Sequence, residues 1–274
     1  MPVTKPTEFE VGEAYDTFAD LLDDLWGVNL HHGYWEGGPD ESFDDATTRL
    51  TDRLSGLLTI EPGDRLLDIG CGNGEPAIRL ATAHDIEGVG ISIAEGQVER
   101  ANDRAAAAGL ADRLSFRFAD AMELPFPDES FDLVWALESL HHMPDRWHVV
   151  REAARVLRPG GRIAIGDFML RAVDGKPADA SSVDLVRMGA LKLVELDEYR
   201  SQLRAAGLAP EGAEDVSDHT RPSWGQAAER FAAAREVAEQ HIGAAQFAIT
   251  LSRFRQFSDE PSVGYVLLTA RKPA

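Results

Sequence analysis

Two adjacent histidines, His141 and His142, lie in the stretch "WALESLHHMPD", after an apolar run and a glutamate. Imidazole titrates near neutral pH, so either ring could take a proton from a substrate in a ligand cleft. His141 is the first candidate for that base and His142 the second, with one of the two expected to be a packed structural ring. Asp167, in "RIAIGDF", could orient the imidazolium or accept the proton itself; its plain alternative is a cap on the segment that follows. A metal is the other chemistry a histidine pair suggests, with Glu138, Asp145 and Asp167 as helpers. Neighbouring side chains point in different directions, and no H-x-x-x-H spacing is present, so no metal is expected.

A second constellation is "LLDIGCGNGEP", with Gly70, Gly72 and Gly74 between an apolar run and a helical stretch. This is the arrangement of a nucleotide cradle at the carboxyl end of a first strand. A loop that holds a pyrophosphate reads G-x-G-x-x-G; here the spacing is G-x-G-x-G, and Asp68 precedes it. A phosphate would face Asp68 unfavourably, whereas a ligand ammonium would be held well. The loop therefore points to a cationic, nucleotide-like ligand without phosphates and argues against a nicotinamide cofactor. Pro76 falls in the first turn of the next helix, where its missing N–H costs little.

Both constellations need a scaffold that puts them at one edge. Apolar runs at Asp64–Gly70, Glu87–Ile93, Leu114–Asp120, Phe131–Ser139 and Arg162–Phe168 read as five strands. Helical stretches separate them: one after Glu75, an alanine-rich one over Gln97–Ala108, and Arg146–Arg158, ended by Pro159-Gly160-Gly161. Strands alternating with helices imply right-handed crossovers and a parallel sheet covered on both faces. Leu208–Ser217 and Val263–Pro273 read as two further strands, and Gln226–Phe257 as one or two helices. The expected fold is α/β: a Rossmann-like, seven-stranded, mostly parallel sheet. Residues 1–60 form an expected helical lid region, and 61–274 the core. An insertion at about 170–196, after the fifth strand, is expected to complete the lid.

The totals bound the function. A chain of 274 residues with 44% hydrophobic residues can bury a core. Its 27 basic and 47 acidic residues give a net charge of −20, which repels nucleic acid and anionic lipid. The single cysteine, Cys71, rules out an intrachain disulfide. No apolar run approaches the length of a membrane span, and residues 1–10 do not resemble a signal peptide. A cytoplasmic enzyme with a small-molecule partner is expected; a homo-oligomer stays open.

In order, "LLDIGCGNG", "ADAMELPFPDESFDLVWALESLHHM" and "LRPGGRIAIGDF" resemble the motifs of the class I S-adenosylmethionine-dependent methyltransferases. "WGVNLHHGYW" and "WALESLHHMPD" further resemble actinobacterial natural-product O-methyltransferases that act on sugars or macrolide rings. The resemblance implies S-adenosyl-L-methionine as cofactor, S-adenosyl-L-homocysteine as product and methylation of a hydroxyl on a natural product. N- or C-methylation by the same scaffold is the alternative. It places Asp68 and the loop Gly70, Cys71, Gly72, Asn73, Gly74 beneath the methionine part of the cofactor. Asp120 matches the acid that accepts from the adenine amino group, with Ala121 and Met122 beside the ring. Leu137 and Glu138 match positions near the methionine end, and Tyr15 and Trp35 positions near the cofactor. The chain departs from the family at Ser92, where an Asp or Glu usually takes both ribose hydroxyls. A serine cannot accept two charge-assisted hydrogen bonds, so Ser92 and Gln97 together are expected to hold the ribose.

Overall fold

A computed structural model describes residues 27–37, 41–173 and 193–274. The parallel strands are β1 (Arg65–Ile69), β2 (Glu87–Ser92), β3 (Leu114–Phe118), β4 (Phe131–Leu137) and β5 (Leu157–Leu170). Two more, β6 (Ala209–Asp215) and β7 (Val263–Arg271), complete a seven-stranded sheet of order β3-β2-β1-β4-β5-β7-β6. Strand β7 runs antiparallel to both its neighbours. The helices are α1 (Phe43–Ser55), α2 (Glu75–Ala83), α3 (Glu95–Ala107), α4 (Arg146–Val156), α5 (Leu196–Ala205), α6 (Ser217–Thr220), α7 (Pro222–Ala233) and α8 (Arg235–Asp259).

Alternation along the strands builds a core on each face, because successive side chains point to opposite sides. Leu66, Leu133, Trp135 and Leu137 join one apolar cluster. Leu67, Ile69, Val134 and Ala136 join the other. The sheet is thus buried on both faces, as runs such as "RLLDI" require. The direction of winding reverses between β1 and β4. Crevices at the carboxyl ends of such a switch point are where open α/β sheets take their ligands.

Two segments differ from the spacing-based expectation. Helix α4 stops at Val156 rather than Arg158, and Leu157 already pairs with Phe131. The register then shifts across Pro159-Gly160-Gly161 before Arg162 opposes Leu133. Proline disfavours helical backbone at Arg158, and Gly160 takes up the turn at φ +84°. The C-terminal helical stretch is two helices, one of the two expected forms, and the second is kinked at Gly243, φ +76°. Among the described residues of the first 60, α1 is helical and capped by Ser42, whose side chain accepts from the Asp45 amide. Residues 27–37 have no regular structure; side-chain and backbone hydrogen bonds to α1 and α7 hold them instead. Most of the insertion expected at 170–196 lies outside the described residues.

Candidate active site

A cleft enclosing about 1050 Å³ of empty space, part of it open to solvent, lies at the carboxyl ends of β1 to β4. Strand β1 contributes Asp68 and the turn Gly70, Cys71, Gly72 and Asn73. The turn needs its glycines: Gly70, Gly72 and Gly74 have φ of +77°, +52° and +80°, conformations that a side chain resists. At Gly70 the space is also taken, since an added Cβ would stand 2.4 Å from Ser139 Cβ. Gly74 caps α2 and packs against Phe116 and Ala101 rather than lining the cleft.

The end of β2 brings Ser92 and Gln97 together at the wall. The Ser92 hydroxyl donates to Gln97 Oε1 at 2.9 Å and accepts from the Ala94 amide at 3.1 Å. After β3, Asp120 and Ala121 line the cleft, and Asp120 Oδ1 accepts from the Met122 amide at 2.7 Å. Met122 is not itself in the lining; it packs against the apolar cluster on one face of the sheet. Strand β4 supplies Trp135 and Leu137, and Glu138 follows its end. Trp35 also stands away from the cleft, packed on Phe43 and donating from its indole to Ser223 at 2.8 Å. Tyr15 lies outside the described residues.

The cleft suits a cationic cofactor. Burial alone raises the Asp68 carboxyl to about 7, so the group gains a full charge most readily when a cation sits against it. The Trp135 indole N–H is buried with no hydrogen-bond partner among the described residues, a donor available to a polar ligand. The glycine turn leaves room where side chains would intrude. Asp68, the Gly70–Asn73 turn, Ser92 with Gln97, and Asp120 are the groups that would hold methionine, ribose and base.

Beyond β4 the chain makes one 3₁₀ turn, Leu140–His142, and the two imidazoles part company. His142 lines the cleft. Burial first, then the neighbouring His141, lowers it to about 3, so it is neutral at physiological pH and a weak base. His141 turns to Asp167, with Nδ1 2.7 Å from Oδ1. A carboxylate partner fixes the proton on Nδ1 and leaves the lone pair on Nε2. The rings lie 4.0 Å apart.

Asp167 is fully buried, which would raise its carboxyl, but His141, Arg146 and Tyr199 outweigh burial and hold it below the usual range. The Phe168 amide donates to Oδ1 at 2.8 Å, and the Tyr199 hydroxyl makes a short bond to Oδ2. Arg146 in turn donates to Tyr199 at 3.0 Å and stands 3.8 Å from Asp167. Spacing gave no hint of Arg146 or Tyr199, which sit on amphipathic helices where polar residues ordinarily face water. Tyr199→Phe removes one donor from a buried carboxylate and one acceptor from a buried guanidinium. It is expected to lower unfolding free energy by about 1–3 kcal/mol, read from urea denaturation.

Among the described residues, no group of three or more His, Cys, Asp or Glu could hold a metal ion, and no helix is long and apolar enough to cross a membrane.

The strand order and the cleft define a class I nucleotide-binding fold. The family model described as "Methyltransferase domain" matches residues 67–165, the span that carries most of the cleft. The chain belongs to the S-adenosylmethionine-dependent methyltransferases that serve natural-product O-methylation. It is 68% identical over 274 residues to the 27-O-demethylrifamycin SV methyltransferase of Amycolatopsis mediterranei (strain S699), covering 99% of this chain and 100% of that one. It is 40% identical to the methyltransferase GfsG of Streptomyces halstedii, over 96% of this chain and 94% of that one. Among solved structures, the [4+2]-cyclase SpnF superposes with a TM-score of 0.88 at 36% identity, covering 100% of both chains.

Proposed function

We propose that the enzyme methylates a hydroxyl group of a polyketide macrolactam, with His141 as general base. The 68% identity to a rifamycin-type O-methyltransferase over the whole chain carries this reading. The dyad of His141 and Asp167, next to the cleft-lining His142, supports it chemically. When bound, S-adenosyl-L-methionine supplies an activated methyl group and leaves as S-adenosyl-L-homocysteine. An alcohol is too weak an acid to ionise near neutral pH, so its proton departs as the new C–O bond forms. His141 Nε2 takes that proton. Asp167 keeps the Nδ1–H in place and balances the positive charge that grows on the ring. His142, Leu137 and Glu138 line the wall on that side, where holding the hydroxyl in line and away from water contributes as much as the base. The enzyme works in the cytoplasm.

The test is incubation with methyl-labelled S-adenosylmethionine and 27-O-demethylrifamycin SV, beside a panel of glycosides. One methyl gained on a macrolactam oxygen is expected. Label on a nitrogen or carbon would sink the O-methyl assignment, and label on the glycosides alone would move the acceptor to a sugar. The chemistry needs no Lewis acid, so exhaustive chelation with EDTA is expected to leave turnover unchanged; a loss restored by a divalent ion would overturn the histidine-only mechanism.

A further inference from the structure

Glu138 follows the end of β4 with a backbone that a glutamate rarely adopts, φ +50°. Such strain persists only where the surroundings enforce it. The side chain shows what does so here. Glu138 Oε1 accepts from the His32 amide at 2.6 Å, and Oε2 lies 3.0 Å from His32 Nδ1. Burial would raise this carboxyl, but the His32 and His31 imidazoles more than offset it and take it down to about 2. It is therefore a firm carboxylate across the working range.

His32 belongs to the irregular segment 27–37. Three residues of that segment, Val28, Leu30 and His31, line the cofactor cleft, and Leu30 reaches the glycine turn, 3.7 Å from where a Cβ on Gly72 would stand. His32 itself does not line the cleft. Its ring packs edge-on against Phe168 and Trp224, with centroids 4.9 and 4.4 Å away. The segment's other ends are tied to helices: Asn29 and His31 to Thr47 and Thr51 of α1, Gly33 and Trp35 to Ser223 of α7. Glu138 ties its middle to the edge of the sheet that carries the cleft.

We propose that Glu138 is a positioning residue: through His32 it clasps residues 28–31 across the cofactor cleft, so that Glu138 acts on cofactor retention by way of the segment and not only by direct contact. The inference rests on cofactor binding by the methyltransferase fold and is independent of the acceptor and of His141 as base.

His32 separates the clasp from direct contact, because it touches Glu138 but not the cleft. The variants are Glu138→Gln, His32→Ala, His32→Asn and the double variant Glu138→Gln/His32→Ala. The readouts are dissociation of S-adenosylhomocysteine in stopped flow and amide exchange of residues 28–34. His32→Ala removes one charge-assisted hydrogen bond and is expected to speed dissociation about tenfold or more. It should raise KM for the cofactor far more than it lowers kcat. His32→Asn, whose amide nitrogen sits near the position of Nδ1, is expected to restore most of the loss. The double variant should be no worse than Glu138→Gln alone, the mark of a shared interaction. Amide exchange of the segment should rise in step with dissociation. Wild-type dissociation in His32→Ala beside a defect in Glu138→Gln would mean direct contact only and overturn the clasp. Additive effects in the double variant, or no rescue by His32→Asn, would overturn it too.

Discussion

His141→Ala is expected to lower kcat by about a hundred- to ten-thousandfold, the usual range for a lost general base, with little change in S-adenosylhomocysteine affinity. Three observations set that expectation. His141 is hydrogen-bonded to Asp167 at 2.7 Å, so its proton is fixed on one nitrogen. Its ring lies 4.0 Å from that of His142, which lines the cofactor cleft. His142 is pressed down to about 3 by burial and by His141 itself, so it cannot substitute well as a base. Single-turnover methyl transfer, with product separated from cofactor, reads the chemical step free of release. Wild-type turnover in His141→Ala, or an equal collapse in His142→Ala with His141 intact, would remove His141 from the mechanism.

Asp167→Asn adds a readout that packing alone would not give. The carboxylate balances the positive charge that grows on the His141 ring, so its loss is expected to lower the kcat plateau while S-adenosylhomocysteine affinity stays near wild type. The substitution also takes a carboxylate from beside Arg146, which is buried. Removing one partner of a buried ion pair costs about 3–5 kcal/mol, so Tyr199→Phe serves as the milder perturbation of the same cluster.

The sheet was legible because burial leaves a mark on composition. Strands such as "RLLDI" and "FDLVWAL" are continuous apolar runs, and a strand covered on both faces can be little else. The glycine turn was legible because positive φ at Gly70, Gly72 and Gly74 admits few other residues. Ser92 and Gln97, grouped in the sequence by the missing family acid, meet at the cleft wall. What the chain concealed are contacts between residues far apart in sequence. Tyr199 meets Asp167 across 32 positions, and His32 meets Glu138 across 106. No local period encodes such pairs. Glu138 read as one cleft residue among several; its strained backbone and its partner emerge only in three dimensions. Trp35 shows the converse. The resemblance puts this aromatic near the cofactor, but it bridges α1 and α7, with its ring on Phe43 and its indole N–H donating to Ser223.

The second large effect concerns Asp68. Burial lifts its carboxyl from 3.8 to about 7. A folded-state pKa above the unfolded one contributes stability that is complete below about pH 4 and is lost as pH rises through about 7. In the free enzyme above pH 7 the buried charge is therefore a liability, on the order of 4 kcal/mol at most for a shift of about three units. Asp68→Asn is expected to raise the melting temperature of the free enzyme at pH 8 and to leave it nearly unchanged near pH 4. Cofactor binding should respond in the opposite sense. An ammonium group seated against Asp68 would be held best by the ionised carboxylate, so binding below pH 7 is expected to expel a proton. Wild-type affinity for S-adenosylhomocysteine is expected to weaken by up to about tenfold per pH unit on descending below pH 7. In Asp68→Asn it should be about 30-fold or more weaker at pH 8 and flat with pH, since one lost charge-assisted contact is worth about 2 kcal/mol or more. Calorimetry at pH 6 in two buffers of different ionisation enthalpy counts the released proton directly. Binding that is independent of pH between 6 and 8 in the wild type, with no proton released, would show that Asp68 is already ionised in the empty cleft. The carboxylate would then be part of a preformed cradle, and the stabilisation of Asp68→Asn at pH 8 would have to vanish with it.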